Sequence, residues 1–191
     1  MKKTWSIYTI KEKALKTGRA VFSTKELSNL TSTKVANANV YSTRLVKKGL
    51  AKKLIKGKIS FDDDEFVIAT QLLEPSYITG LTALNLLGLI QQVPVKIECA
   101  TSKRSIKYET LGITYHKIPC QLFYGYKKQK KSQSYVLIAE PEKAIIDGIY
   151  LNILTKDILK ELDEKIDKEK LIEYAKRFKG RGKKKIMKAI K

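Results

Sequence analysis

Residues 23–61, STKELSNLTSTKVANANVYSTRLVKKGLAKKLIKGKISF, decide how the chain is read. Ser23 stands three residues before Glu26, the spacing of a capping box, so a helix is expected from about Thr24. It is short and ends near Leu30. Thr31, Ser32 and Thr33 then supply a turn and a second helix start. From about Lys34 to Lys48, Val35, Ala38, Ser42, Leu45 and Val46 recur on one helical face, with Tyr41 at its edge. Gly49 stops this helix. Leu50–Ile55 and Lys58–Phe61 read as two strands joined at Lys56-Gly57. Short helix, tight turn, longer helix and basic hairpin is the order of a winged helix-turn-helix, which sets its second helix in a DNA major groove.

Charge supports a polyanion partner. The 191 residues carry a formal charge of +20, but residues 1–60 hold 15 Lys and Arg against 2 acids, and 176–191 hold 9 against none. The stretch between, 61–175, is close to neutral with 15 basic and 17 acidic residues. Cations concentrated on a helix-turn-helix pattern and on a tail point to nucleic acid. Thr33 and Lys34, at the start of the second helix, are placed for phosphate or base contact. Asn37 can pair bidentately with adenine, and Arg44 can reach guanine or a phosphate. Thr43 and Lys47 also lie off the apolar face, and Lys53, Lys56 and Lys58 lie on the hairpin. The competing reading is a helix-turn-helix that binds protein or RNA.

A 43% hydrophobic share is enough for a core, and no apolar run approaches membrane-spanning length. Met1-Lys2-Lys3 is not followed by an apolar stretch, so the chain is expected without a signal peptide and in the cytoplasm, with no membrane association. Cys99 and Cys120 are expected to be reduced core residues.

Thr4 to about Lys16 reads as a first helix, with Trp5, Tyr8 and Leu15 on its apolar side; Phe22 is placed as a hydrophobic staple. Asp62-Asp63-Asp64-Glu65 marks a composition shift, so a boundary is expected here, between 1–62 and 63–191. Four acids in a row can hold a metal, but they also suit a helix start, and Phe66–Ala69 follow as an apolar run. Beyond it, Thr79 caps a helix with Leu81, Leu84, Leu86 and Leu87 inward. Strands are expected at 93–100, 106–109, 113–118, 122–126 and 135–139. Their close spacing predicts a small, mainly antiparallel sheet. Glu140-Pro141-Glu142 opens a buried helix. Thr155 and Asp167 cap two more, with Ile158, Leu162, Leu171, Ile172 and Phe178 inward. Gly180-Arg181-Gly182 breaks the pattern within the basic end of the chain, 176–191, and Lys183–Lys191 reads either as a short basic helix or as a frayed tail. The expected class is α+β: an N-terminal winged helix-turn-helix and a C-terminal mixed domain.

Three stretches resemble AbiEi-type antitoxins, the transcriptional regulators of abortive-infection toxin–antitoxin systems. They are Phe22 to Leu50, Tyr77-Ile-Thr-Gly-Leu-Thr-Ala-Leu-Asn-Leu-Leu-Gly-Leu89 continuing to Pro94, and Ala139-Glu-Pro-Glu-Lys-Ala-Ile-Ile-Asp147 continuing to Leu151. The resemblance spans about 20 to 152; many members have His where this chain has Leu87. It implies that the N-terminal domain represses its own operon by binding promoter repeats, and that the C-terminal domain counteracts a nucleotidyltransferase-like toxin. Tyr77, Glu142, Lys143 and Asp147 are the candidates for toxin contact.

Enzyme chemistry has little to stand on. The one histidine, His116, has no partner spacing, and neither a phosphate-binding loop nor a zinc motif occurs. A metal-dependent nucleic-acid-processing site at Glu140, Glu142, Lys143 and Asp147 is the remaining alternative, but Lys143 and Asp147 also fit a simple i,i+4 pair. No cofactor, metal or catalytic residue is expected. Tyr124-Gly125-Tyr126 before Lys127, Lys128, Lys130 and Lys131 reads either as a stacking platform for single strands or as a solvated loop.

Overall fold

The computed structural model describes residues 5–162 and 166–190. The fold is mixed α+β, with nine α-helices and two sheets among the described residues. The chain divides into two compact units, Met1–Leu72 with Lys130–Val136, and Leu73–Gln129 with Leu137–Lys191. The division expected near residue 62 therefore falls later, and the first unit takes in a second, distant segment.

The first unit contains α1 (Ile7–Lys16), β1 (Val21–Ser23), α2 (Thr24–Thr31), α3 (Val35–Lys47), β2 (Lys52–Ile55), β3 (Lys58–Ser60) and α4 (Glu65–Leu72). Ser6 caps α1 by accepting from the Tyr8 amide. That start turns Ile10 and Ala14 inward and leaves Tyr8 65% exposed, against the expected apolar side. The core is Ile10, Ala14, Phe22, Leu27, Ala38, Leu45 and Ile59. Trp5 lies outside the helix and packs on this core, its Nε1 donating to the Thr31 carbonyl at 2.8 Å. Phe22 is more than a staple. It sits in β1, opposite Ile59 of β3, and the three antiparallel strands run in the order β1-β3-β2. The acidic run is a helix start: Asp64 accepts from the Phe66 and Val67 amides at 3.0 Å each and pairs with Lys131 at 2.9 Å. No group of three acid, His or Cys side chains among the described residues is placed to hold a metal.

The second unit contains β4 (Ser76–Ile78), α5 (Gly80–Leu86), β5 (Ile97–Thr101), β6 (Ile106–Tyr108), β7 (Ile113–Lys117), α6 (Pro141–Tyr150), α7 (Lys156–Leu162), α8 (Lys168–Lys176) and α9 (Gly180–Ala189). The hairpin β8 (Tyr126–Lys131) and β9 (Ser134–Ala139) belongs to it except for residues 130–136. The sheet order is β6-β7-β5-β4-β9-β8. The sheet is mixed rather than mainly antiparallel: β5 pairs β7 in parallel and β4 pairs β9 in parallel. Close spacing misleads here because the short β6 takes the edge and acts as the crossover that returns β7 beside β5.

Other expectations shift for local reasons. Residues 93–96 stay outside the sheet, with Val95 95% exposed. Cys120–Leu122 is a turn of 3-10 helix, so the strand expected at 122–126 begins only at Tyr126. The lysine-rich stretch after it is the edge strand β8, not a loop. Cys99 is buried but Cys120 is exposed. In α5 only Leu84 of the four expected leucines is fully inward. In α8 Ile172 is 40% exposed, while Leu171, Tyr174 and Ala175 face the core. Of the two readings of the basic end, the helix is the one observed: Gly180 opens α9, and Ile186 is buried. Gly182 allows it: a Cβ there would lie 2.8 Å from the Tyr150 ring. No helix among the described residues is long and apolar enough to cross a membrane.

Candidate functional site

The presentation of α3 is set by the turn before it. The capping box closes fully: the Ser23 amide donates to Glu26 Oε2 at 2.7 Å and the Glu26 amide donates to Ser23 Oγ at 3.2 Å. At the other end of α2, Ser32 takes a left-handed conformation (φ 53°). The Ser28 hydroxyl donates to the Thr33 carbonyl at 2.6 Å, which locks the turn. Ala38 and Leu45 then hold α3 on the core, with Tyr41 and Val46 packed beside them. Val35, expected inward, is 49% exposed, because α3 starts at it and the inner face begins one turn later.

The outward side of α3 carries Ala36, Asn37, Asn39, Val40, Thr43, Arg44 and Lys47. Asn37, Arg44 and Lys47 of the expected set are all exposed there. Lys34 is exposed at the N-cap. Three other expectations change. The Thr33 hydroxyl is 2.8 Å from that of Thr31 and is spent on the turn. The Thr43 hydroxyl donates back to the Asn39 carbonyl at 3.0 Å. Lys58 is half-buried and lines the groove beside α3, but its ammonium donates to the Leu72 carbonyl at 2.6 Å. Lys53 and Lys56 remain exposed.

A groove of about 390 Å³ separates α3 from the β2–β3 hairpin, lined among others by Asn39, Ser42, Thr43, Lys47, Lys53 and Lys56. Two residues of this face, Asn39 and Thr24, were not expected from the sequence. The Thr24 hydroxyl bonds the Asn39 side-chain oxygen at 3.1 Å and fixes that amide. The signal for Asn39 was its place four residues before Thr43, on the same side of the helix. The face thus has a neutral centre of amides and methyl groups, framed by cations. Cations of this kind neutralise phosphates, and amides in the centre match base edges.

The second cluster is of a different kind. Asp147 of α6 accepts from Tyr77 Oη of β4 at 2.7 Å and from Thr79 Oγ1 at 3.0 Å, and takes a short ion pair from Lys143. Tyr77, Lys143 and Asp147 are completely buried and Glu142 is 5% exposed, so none of the four offers a surface for toxin contact, contrary to expectation. Burial pulls the Lys143 pKa below the usual lysine value, against the opposing pull of Asp147. Burial, then the Asp147 carboxylate, pushes the Tyr77 phenol up. Rings of Tyr77, Tyr124 and Phe178 surround the ammonium at 5.6, 4.9 and 5.8 Å. Tyr126 stacks on Tyr77 with centroids 4.8 Å apart, so these aromatics serve the core instead of an open stacking platform. A sealed pair of this type builds structure; its groups do not reach a substrate.

Glu140 lies at the rim of this cluster. A hydrogen bond from Tyr174 at 2.6 Å, with Lys127 and Lys170 beside it, holds its carboxyl down at about 2. His116 pairs with Glu98 at 2.5 Å across β7 and β5, a contact within the sheet. Neither a scan against protein-family models nor a search of the curated proteins gave a match to this chain.

Proposed function

We propose that the chain is a DNA-binding transcriptional repressor, acting as the antitoxin of an abortive-infection-type operon. In this reading α1–α3 and β1–β3 are a winged helix-turn-helix, and α3 enters the major groove of repeats in the operon's own promoter. The observation that carries it is the outward side of α3: Asn37 and Asn39 near the centre, Lys34 at one end, Arg44 and Lys47 at the other, and Lys53 and Lys56 across the groove. No acid occurs anywhere in α3. The protein works in the cytoplasm, where its promoter lies.

The antitoxin part rests on the resemblance of Tyr77–Leu89 and Ala139–Asp147, and the counteracted partner is a nucleotidyltransferase-like toxin encoded alongside. With the Tyr77–Asp147 cluster buried, its task is to hold β4 and α6 together, and toxin control falls to other surfaces of the second unit.

The test is titration of the full chain with duplex from its own upstream region at several salt concentrations. About 6 phosphate contacts give a log–log slope near −5. Changing Arg44 or Lys47 to Ala lowers that slope by about 1 each if they touch phosphate. Asn37→Ala loses ~1–3 kcal/mol on the upstream duplex and nothing on competitor DNA. A flat salt response, or equal affinity for upstream and competitor duplex, rules out the repressor. For the antitoxin part, co-expression with the neighbouring reading frame should relieve growth arrest.

A further inference from the structure

The centre of the α3 face has a chemistry that affinity for phosphate does not call for. In a chain with charge +20, the first nine residues of α3, Val35–Thr43, carry no charge. Ala36, Val40 and Thr43 follow at i, i+4 and i+7, which sets them in one stripe opposite Ala38 and Leu45. Val40, in the middle, is 48% exposed. The Thr43 hydroxyl is engaged with the Asn39 carbonyl, so its methyl is the unengaged group. The stripe is therefore a row of methyl groups. Asn37 and Asn39 flank it. Asn39 has its side-chain oxygen taken by Thr24, which leaves its two N–H donors free for a base edge.

We infer that α3 reads thymine. Val40, with Ala36 and the Thr43 methyl, packs on the 5-methyl groups of thymines in the major groove, and the two carboxamides take the polar edges of the same A·T-rich step. Among the four bases only thymine presents a methyl there, and adenine's N7 and N6 suit a carboxamide. The occupant is duplex DNA and not an apolar protein surface because cations frame the stripe on every side: Lys34, Arg44, Lys47, Lys53 and Lys56. This inference rests on the reading of the chain as a DNA binder, and it adds which bases are read and by what.

The full chain is titrated by fluorescence anisotropy with its own upstream duplex, amplified once with thymidine and once with deoxyuridine, which removes only the 5-methyl groups. The uridine duplex should bind about fourfold more weakly for each thymine methyl that the stripe covers. Val40→Ala should weaken binding to the thymine duplex and shrink the difference between the two. Since Val40 is half exposed, its truncation leaves the fold intact, checked by an unchanged melting temperature. Equal binding of both duplexes by the unaltered chain overturns the inference while the repressor reading stands. So does a Val40→Ala chain that keeps the full difference, or one whose weaker binding tracks a change in sedimentation, which would make the stripe a protein contact. Failure to prefer either duplex over competitor DNA overturns both.

Discussion

Asp147 accepts from three side chains at once, one local and two distant: Lys143 one turn away, and Tyr77 and Thr79 from far back in the sequence. Removing it strands a buried ammonium. Asp147→Ala should destabilise the chain by ~3–5 kcal/mol, read as a lower urea midpoint; a loss under ~1 kcal/mol would mean that water reaches the site. The Lys143–Asp147 pair was legible from its i,i+4 spacing. Tyr77 and Thr79 were not, because they are 70 and 68 residues away from Asp147 and only sheet order brings them there. Glu140 gives a pH prediction. Its folded-state value is lowered from 4.5 to about 2, by the Tyr174 hydrogen bond foremost. The stabilisation is therefore complete above pH 4.5 and is lost as pH falls towards 2. It amounts to at most ~3 kcal/mol, less the share of solvent-exposed Lys127. Urea titrations of the unaltered chain and Glu140→Gln should differ at pH 7, and the gap should close only as pH falls through about 2. A gap that stays constant would show that the shift does not arise from this carboxyl.

At the scale of elements, the sequence spoke where the cause was local. The Ser23–Glu26 box, the turn through Ser32 and the glycine after α3 each act within a few residues, and α2 and α3 begin and end within a residue or so of expectation. Strand pairing is not local, and there the reading failed: the alternation of Ile113–Lys117 marks β7 but cannot say whether its neighbour runs with it or against it. The lysines of β8 look like a loop by composition, yet an edge strand rich in lysine resists pairing with other chains. The last helix is the clearest case. Its composition fits a short basic helix and a frayed tail alike, and the full burial of Ile186 decides for a helix packed on the core. Ile186→Ala should cost ~2–5 kcal/mol in a denaturation experiment. A neutral outcome would show that α9 does not stay packed in solution. On the candidate site, the polar residues of α3 were legible from helical phase. The tie of the Lys58 ammonium to Leu72 and the fixing of Asn39 were not, since each depends on an atom supplied by another element.

For the whole molecule, the important fact is that the first unit is not one continuous piece of chain. The buried Gln71 takes the amides of Ala20 and Val21 on its oxygen and gives its Nε2 to Ser134 Oγ at 2.8 Å. Ser134 in turn donates to the Gly18 carbonyl at 3.0 Å. A fragment ending at residue 72 is without the Ser134 partner of both. Relative to the full chain, its first unit should be weakened by ~1–4 kcal/mol, with faster hydrogen exchange at the Ala20 and Val21 amides. Equal protection in fragment and full chain would show that residues 130–136 add nothing.

The Ser134–Gly18 bond closes a separation of 116 residues. On the ribosome, α3 is complete at Lys47, yet Val136 must be made before the unit around it is whole. At typical elongation rates that interval is roughly 5 to 20 s. During it, the helix proposed to read the promoter stands in a nascent chain that still lacks the Ser134 contacts to Gln71 and Gly18.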